Sequence, residues 1–307
     1  MITYNHEDYI AQAIEGVLMQ KTDFPIELVI SEDCGTDRTR EICIDYQQKY
    51  PDIIKLLLPE HNLGVSQNFM QTVRACKGRY IAMCEGDDYW TDFLKLQKQV
   101  DFMEANPDYG LVHTRFEIYY QAYSKFNTTV LCKKEGNIFK DLLFDNFIGT
   151  LTVLLRKELY EEAFSAGILD LFMMSDYPFW LYIAKRNKVG YIKDCTAVYR
   201  YLEESVSHNN DQLKQFSFFQ SFLRVREYFA ENTPFQKAIL RDTQRRLFKR
   251  FFITDTNNKD IDRVILSALD KKYSNKIEYM LCSISAKSNT IKLIIHKVIK
   301  LLHRITK

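Results

Sequence analysis

Short apolar runs rich in β-branched residues alternate with helix-period segments over residues 1–118, and few architectures accept that rhythm. Strand-like runs occupy 26–31, 53–58, 79–84 and 110–118, and helical spacing occupies 6–20, 37–49, 65–76 and 92–105. A parallel neighbour needs a crossover long enough to bring the chain back to the same edge, so strands separated by helices predict a mostly parallel sheet covered by helices. The expected class is therefore α/β. Asn5 reads as the cap of the first helix, Gly78 stands where a C-terminal cap glycine belongs, and Asn106-Pro107 ends the helix before the fourth strand.

Ligands of open α/β sheets bind at the carboxyl ends of strands. Three such ends fall in the first ninety residues. Met1-Ile2-Thr3-Tyr4-Asn5 closes one, and Ile26–Ile30 runs into Ser31-Glu32-Asp33-Cys34-Gly35-Thr36-Asp37. Tyr80–Met83 runs into Cys84-Glu85-Gly86-Asp87-Asp88, three carboxylates within four positions. Like charges that close repel, and a fold tolerates them where a cation sits between. Hard divalent cations prefer oxygen ligands, so the loop is a candidate metal site, with a solvated acidic turn as the plainer alternative. Asp92 is a candidate cap for the helix that follows.

Composition narrows the class further. Of 307 residues, 46% are hydrophobic and 27% charged, enough for a full globular core. The apolar runs fall short of the ~20 residues of a membrane span. No signal-peptide pattern opens the chain, and the seven scattered cysteines lack metal-ligand spacing, so the expectation is a cytoplasmic protein with reduced thiols.

Residues 119–210 are less regular. Thr150–Leu155, Val189–Ile192 and Thr196–Tyr201 read as strands, and Asp176-Tyr177-Pro178-Phe179-Trp180 opens an aromatic helix with Asp176 at its N-terminal end. Residues 211–307 read as helices, with Phe216, Phe219, Phe222 and Phe229 as an aromatic core stripe. The expected division is 1–210, a catalytic domain, and 211–307, a helical region. Charge divides with it: residues 1–210 hold 22 Lys+Arg against 31 Asp+Glu, and residues 211–307 hold 20 against 9. The last segment, Lys287–Lys307, carries six cations and no acid, with Ile291, Ile294, Ile295, Val298, Leu302 and Ile305 on one helical face. This is the pattern of an interfacial helix on an anionic membrane surface, or of a terminal helix docked on its own protein.

Together these pieces resemble the inverting nucleotide-sugar transferases of glycosyltransferase family 2, over about residues 1–210. Thr3-Tyr4-Asn5 is similar to the family's opening TYN segment, and Glu32–Thr39 to its DDGSTDGT loop. Asn62-Leu63-Gly64 with Asn68 matches its N-x-G lead-in, Gly86-Asp87-Asp88 its metal motif, and Tyr199-Arg200 with Ser205–His208 its closing segment. Departures are Cys34 for the usual Gly or Asn, Gly35 for Ser, Ile2 for a frequent Pro, and a first strand cut to a stub, whose natural start is expected upstream.

The resemblance implies a GT-A, Rossmann-like fold and transfer of a sugar from a nucleoside diphosphate, a UDP-sugar in preference, to a hydroxyl of a bacterial surface polysaccharide or a lipid-linked saccharide. It assigns Asp88 to a bound Mg²⁺ or Mn²⁺ and Asp87 to the ribose or the metal's surroundings. Asp33 is assigned to the base's ring N–H, with Tyr4, Thr3 and Asn5 lining the nucleotide pocket. Asp176 matches the residue that takes the acceptor's proton. His208 is a candidate metal or phosphate ligand. Arg200 is expected to pair with the diphosphate or hold its loop, and Trp180, with Tyr177 and Phe179, to stack on a sugar face. Such a protein is expected in the cytoplasm, peripheral on the inner face of the cell membrane, and without nucleic-acid partners. Two alternatives are weaker. A nucleotidyltransferase would show a glycine-rich, cationic phosphate loop near its N-terminus, and a non-catalytic sugar-nucleotide or scaffold protein would be expected to lose the acids at 33, 87, 88 or 176.

Overall fold

The computed structural model describes residues 1–127, 134–168, 171–174, 176–202, 211–253, 259–270, 272–273, 276–285, 292 and 295. The chain divides into two compact units, Met1–His208 and Asn209–Lys307. His208, Ser205–Ser207 and almost all of Lys287–Lys307 lie outside the described residues.

The first unit opens with β1 (Ile2–Thr3), α1 (Ile10–Leu18), β2 (Leu28–Glu32), α2 (Thr39–Lys49), β3 (Ile54–Leu57) and α3 (Val65–Ala75). Strands β4 (Tyr80–Ala82) and β5 (Tyr89–Trp90) follow, then α4 (Lys95–Ala105), β6 (Tyr109–Tyr120) and β7 (Lys125–Asn127). The unit closes with α5 (Phe139–Phe144), β8 (Leu154–Arg156), α6 (Lys157–Ser165), α7 (Asp176–Ala184) and β9 (Lys188–Tyr201).

Two sheets result. The first is parallel, in the order β1-β2-β3, with Ile2 opposite Ser31 and Leu28 opposite Ile54. Helices cover both its faces, so every residue of β2 is buried, as a central parallel strand requires. Burying Leu28, Val29 and Ile30 stabilises the unit by about 1.5–3 kcal/mol per side chain. The second sheet is mixed, in the order β4-β8-β6-β9-β5, with β7 paired to β6. The parallel pairing expected from the α/β rhythm holds within the first sheet and between β6 and β9, while β8 runs antiparallel to both of its neighbours. The main core joins Ile10, Ile14 and Val17 of α1 to Leu28 and Ile30 of β2 and to Trp90, Leu96, Val112 and Leu154. Gly16 is needed where α1 crosses β5, since a Cβ there would lie 2.9 Å from the Trp90 main-chain nitrogen.

The second unit is helical in its described residues: α8 (Gln212–Ala230), α9 (Gln236–Ile253), α10 (Lys259–Ala268) and α11 (Lys276–Ser285). Asp211 caps α8 by accepting from the N–H groups of Leu213 and Lys214. Phe216, Leu223, Leu247, Phe251, Ile261 and Ile265 form its core, with Phe219 and Phe222 packed at the margin. Among the described residues, no helix is long and apolar enough to cross a membrane.

Candidate active site

The ends of β1, β2 and β4 meet in one place. The Gly86 N–H donates to Ile2 O at 2.9 Å, and a Cβ on Gly86 would collide with the Thr3 side chain, so only glycine lets the acidic loop press against β1. The Asp33 N–H donates to Thr3 O at 3.0 Å. Asn5 and Cys34, the residues just past β1 and β2, both hold left-handed backbones with φ of 55° and 58°. Asn5 adopts that conformation readily; Cys34 does so at a cost of order 1–3 kcal/mol, the kind of strain that collects at functional turns. Asn5 is not the cap of α1, which begins five residues later: its Oδ1 accepts from the Thr36 N–H at 2.8 Å and ties the two loops together.

Asp33 is buried, and its carboxylate pins the following loop. Oδ1 accepts from the Leu63 N–H at 2.8 Å and Oδ2 from the Gly64 N–H at 2.9 Å, while Asn62 Nδ2 donates to Asp33 O at 2.9 Å. Each oxygen keeps a lone pair for a further donor. Tyr4 stands 44% exposed beside it, open to a ring stacked on its face, whereas Thr3 is buried. Glu32, one residue earlier, is enclosed by Arg40 at 2.5 Å and the Gly35 N–H at 2.6 Å, so it serves the loop and not a ligand.

The carboxylates of the acidic loop form one electrostatic cluster. Burial, then Asp87 and Asp176 among other groups, pushes the Glu85 carboxyl up to about 8. Asp88 is pushed well above the usual carboxylate range by burial, then by Asp87 and Glu85. Glu85 Oε2 is buried with no hydrogen-bond partner among the described residues. Asp88 Oδ1 accepts the Arg200 main-chain N–H at 2.8 Å, and no hydrogen bond among the described residues engages its Oδ2. Asp176, the first residue of α7, is also raised by burial, an effect opposed by hydrogen bonds from the Tyr177 main chain and from the side chains of Asn146 and Thr150.

These groups suit a divalent cation. Among the described residues, no three His, Cys, Asp or Glu side chains converge closely enough to hold one unaided. A hard cation that takes most of its oxygens from a diphosphate and water needs only one or two carboxylates, and a cluster of acids with an orphaned oxygen supplies the compensating charge. Asp88 and Asp87 are the residues that would hold it.

The Arg200 side chain donates to three acceptors of the protein. Its Nε donates to Asp87 O at 2.9 Å, Nη1 to Gln121 at 2.8 Å and Nη2 to Gln12 at 2.6 Å, and its guanidinium lies 4.7 Å from the Tyr9 ring and 5.2 Å from that of Tyr89. The bond to Asp87 O ties the end of β9 to the acidic loop. Trp180 corrects a further expectation. With Tyr177 and Phe179 it is wholly buried, and the Tyr177 hydroxyl donates to Leu142 O at 2.6 Å, so α7 turns these rings into the core and no sugar can stack on them.

His6 was not singled out by sequence reasoning. Its Nε2 lies 3.9 Å from Asp87 Oδ2 and its Nδ1 3.2 Å from Thr3 Oγ1. Burial depresses its pKa, and Asp87 and Asp37 act in the other direction. Its place directly after Thr3-Tyr4-Asn5 was the available signal.

Residues 1–164 match the model of the family described as glycosyl transferase family 2. An uncharacterised protein of Mycobacterium tuberculosis is 32% identical over 209 residues, 68% of this chain and 59% of the relative, so the chain spans about three-fifths of that relative's length. An Escherichia coli protein named UDP-Glc:alpha-D-GlcNAc-diphosphoundecaprenol beta-1,3-glucosyltransferase WfgD is 29% identical over 216 residues, 68% of this chain and 78% of that one. Among solved structures, Staphylococcus aureus TarS 1–349 in complex with UDP-GlcNAc superposes with a TM-score of 0.70 at 16% identity, covering 100% of this chain and 90% of that one. A Pyrobaculum calidifontis mannosyltransferase in complex with GDP-Man and Mn²⁺ superposes at 0.54 and 15%, covering 98% and 85%. At these identities the superpositions establish the GT-A fold alone.

Proposed function

The chain belongs to glycosyltransferase family 2, and from that premise we propose that it moves a sugar, with inversion, from a UDP-sugar to a hydroxyl of a bacterial surface polysaccharide or lipid-linked saccharide. The observation that carries this reading is the acidic loop at the end of β4, where Asp88 is buried, Glu85 and Asp87 are half-buried, and half-buried Asp176 at the start of α7 lies near enough to help raise the Glu85 carboxyl. UDP is favoured because TarS is seen with UDP-GlcNAc and WfgD is named for UDP-Glc; a lipid-linked acceptor is favoured by the diphosphoundecaprenol in WfgD's name. We assign catalysis to residues 1–210 and place the protein on the inner face of the cell membrane.

Asp33 accepts the base's ring N–H with its remaining lone pairs, Tyr4 stacks on the base, and Thr3 and Asn5 shape the pocket wall. Asp87 meets the ribose. A Mg²⁺ or Mn²⁺ on Asp88, with His208 as a further candidate ligand, would supply Lewis-acid stabilisation of the leaving diphosphate. Asp176 takes the proton of the acceptor hydroxyl as that oxygen bonds to the anomeric carbon, while the bond to the diphosphate breaks with its electron pair on the leaving oxygen. Its raised pKa moves it towards the range where a carboxylate is an effective base, and the start of α7 favours its ionised form.

The test is turnover by Asp176→Asn over a panel of UDP-sugars with lipid-linked acceptors. Transfer falls about 10²–10⁴-fold while UDP affinity is retained. Unchanged transfer sinks the assignment of the base.

A further inference from the structure

Helix α9 has two opposed faces. Ile239, Thr243, Leu247 and Phe251 recur at every fourth position and are all buried. Lys237, Arg241, Arg245 and Lys249 recur at the same interval on the other side and are all exposed. Four residues advance a helix by about 6 Å and 40°, so these cations form a slowly winding row about 18 Å long. Apart from Ala238, no other side chain described on α9 is exposed.

The other cations of the helix are accounted for. Arg246 pairs with Asp242 at 2.7 Å, Asp242 also holds Arg226 of α8, and Arg250 Nη2 reaches Gln215 at 3.5 Å. None of the four row cations has an ion pair or hydrogen bond among the described residues. A solvated helix gains from acids placed four residues from its bases, and like charges at that interval repel. This face holds three such like pairs in succession and no acid. Such a face recognises density of negative charge. Among its described residues it has no exposed aromatic side chain on which a nucleic-acid base could stack.

We propose that this row is a docking surface for the phosphate headgroups of an anionic lipid bilayer, with α9 lying along the membrane plane. An extended sheet of phosphates is the complement of a row of long, flexible cationic side chains, and residues 211–307 carry 20 Lys+Arg against 9 Asp+Glu. The assignment concerns the helical unit and does not depend on the donor and acceptor chemistry above.

The test is co-sedimentation of the full chain with vesicles of phosphatidylcholine, alone or mixed with phosphatidylglycerol. The parent chain binds only the mixed vesicles, and binding weakens as salt shortens the screening length from about 10 Å at 0.1 M to about 3 Å at 1 M. Each cation near an anionic surface is worth about fivefold. The quadruple variant K237Q/R241Q/R245Q/K249Q therefore binds at least about tenfold more weakly, while K237R/R241K/R245K/K249R, which keeps the charge, binds as the parent does. Circular dichroism checks folding; should the quadruple variant not fold, K237Q/R241Q and R245Q/K249Q each show part of the loss. Undiminished binding by the glutamine variants overturns the proposal. So does failure of the parent to bind mixed vesicles, or loss of binding only when Lys297, Lys300, Arg304 and Lys307 are neutralised. Tighter binding to duplex DNA or long-chain polyphosphate than to mixed vesicles overturns the choice of a bilayer. UDP affinity measured on the same samples separates failure here from failure of the transferase reading.

Discussion

The main-chain N–H of Arg200 donates to Asp88 Oδ1 at 2.8 Å, across 112 positions of sequence. The end of β9 is thereby fixed to the acidic loop, and the same residue's guanidinium holds Asp87 O at 2.9 Å from the other side. The loop's geometry is set by a strand formed from the far end of the unit.

Arg200→Met keeps the main-chain bond and removes three side-chain hydrogen bonds from a buried site. We expect a loss of about 2–4 kcal/mol in urea denaturation together with weakened UDP binding. A variant as stable as the parent but defective in UDP binding would mean that the guanidinium serves the diphosphate.

Asp176 has a raised pKa, so its basic form is lost at a higher pH than a free aspartate's. The rate of transfer should fall as pH drops through that raised value, giving an acidic limb in kcat above the ordinary Asp range. Asp176→Asn should abolish the limb as well as the rate. A limb of unchanged position in that variant would assign it to another group.

Cys34 holds φ of 58° without being glycine. Cys34→Gly removes the Cβ from a left-handed turn and should raise stability by about 1 kcal/mol despite the greater freedom of the unfolded chain. Thermal melting checks this; a lowered midpoint would mean that the Cys34 Sγ contact with Glu60 O, at 3.6 Å, outweighs the strain.

His113 is buried on β6 between Tyr191 and Phe147, and burial pushes its pKa down to about 4. The unfolded chain protonates this group below about 6.5 and the folded chain does not. Its contribution is therefore whole above pH 6.5 and is lost as pH falls towards 4, by up to about 3 kcal/mol. His113→Phe should flatten the stability profile across that window; an unchanged acid slope would assign the loss to other groups.

What could be read from the sequence was local. The strand ends at Thr3, Asp33 and Asp88 were visible because an apolar run that stops in polar residues marks itself. What depends on partners distant in sequence was not visible. Lys193-Asp194-Cys195 looks like a break between two strands, yet β9 runs unbroken from Lys188 to Tyr201. Register shifts opposite Thr114, Arg115 and Phe116 absorb the irregularity as a bulge. Thr150–Thr152 reads as strand but forms a 3₁₀ turn ahead of β8, where the Thr152 hydroxyl donates to Gly149 O. Trp180 follows a candidate catalytic acid, and sequence proximity suggested a shared surface. All nine residues of α7 are apolar or aromatic save Asp176, and a helix apolar on every side is a buried one, so the acid reaches the site only from its first position. Asp92 is near its expected role: its Oδ1 accepts from the Leu94 N–H at 2.9 Å, one turn before α4 begins.

The central claim is that the acidic loop at the end of β4 builds a cation-dependent site for a nucleoside diphosphate. Calorimetric titration with UDP, GDP, CDP and dTDP, with and without Mn²⁺, tests it most directly on the parent chain and on Asp88→Asn, which keeps an acceptor for the Arg200 N–H. The account predicts UDP binding that requires Mn²⁺ and is lost in the variant. UDP binding that is indifferent both to Mn²⁺ and to Asp88, or no binding of any of the four nucleotides, would contradict it.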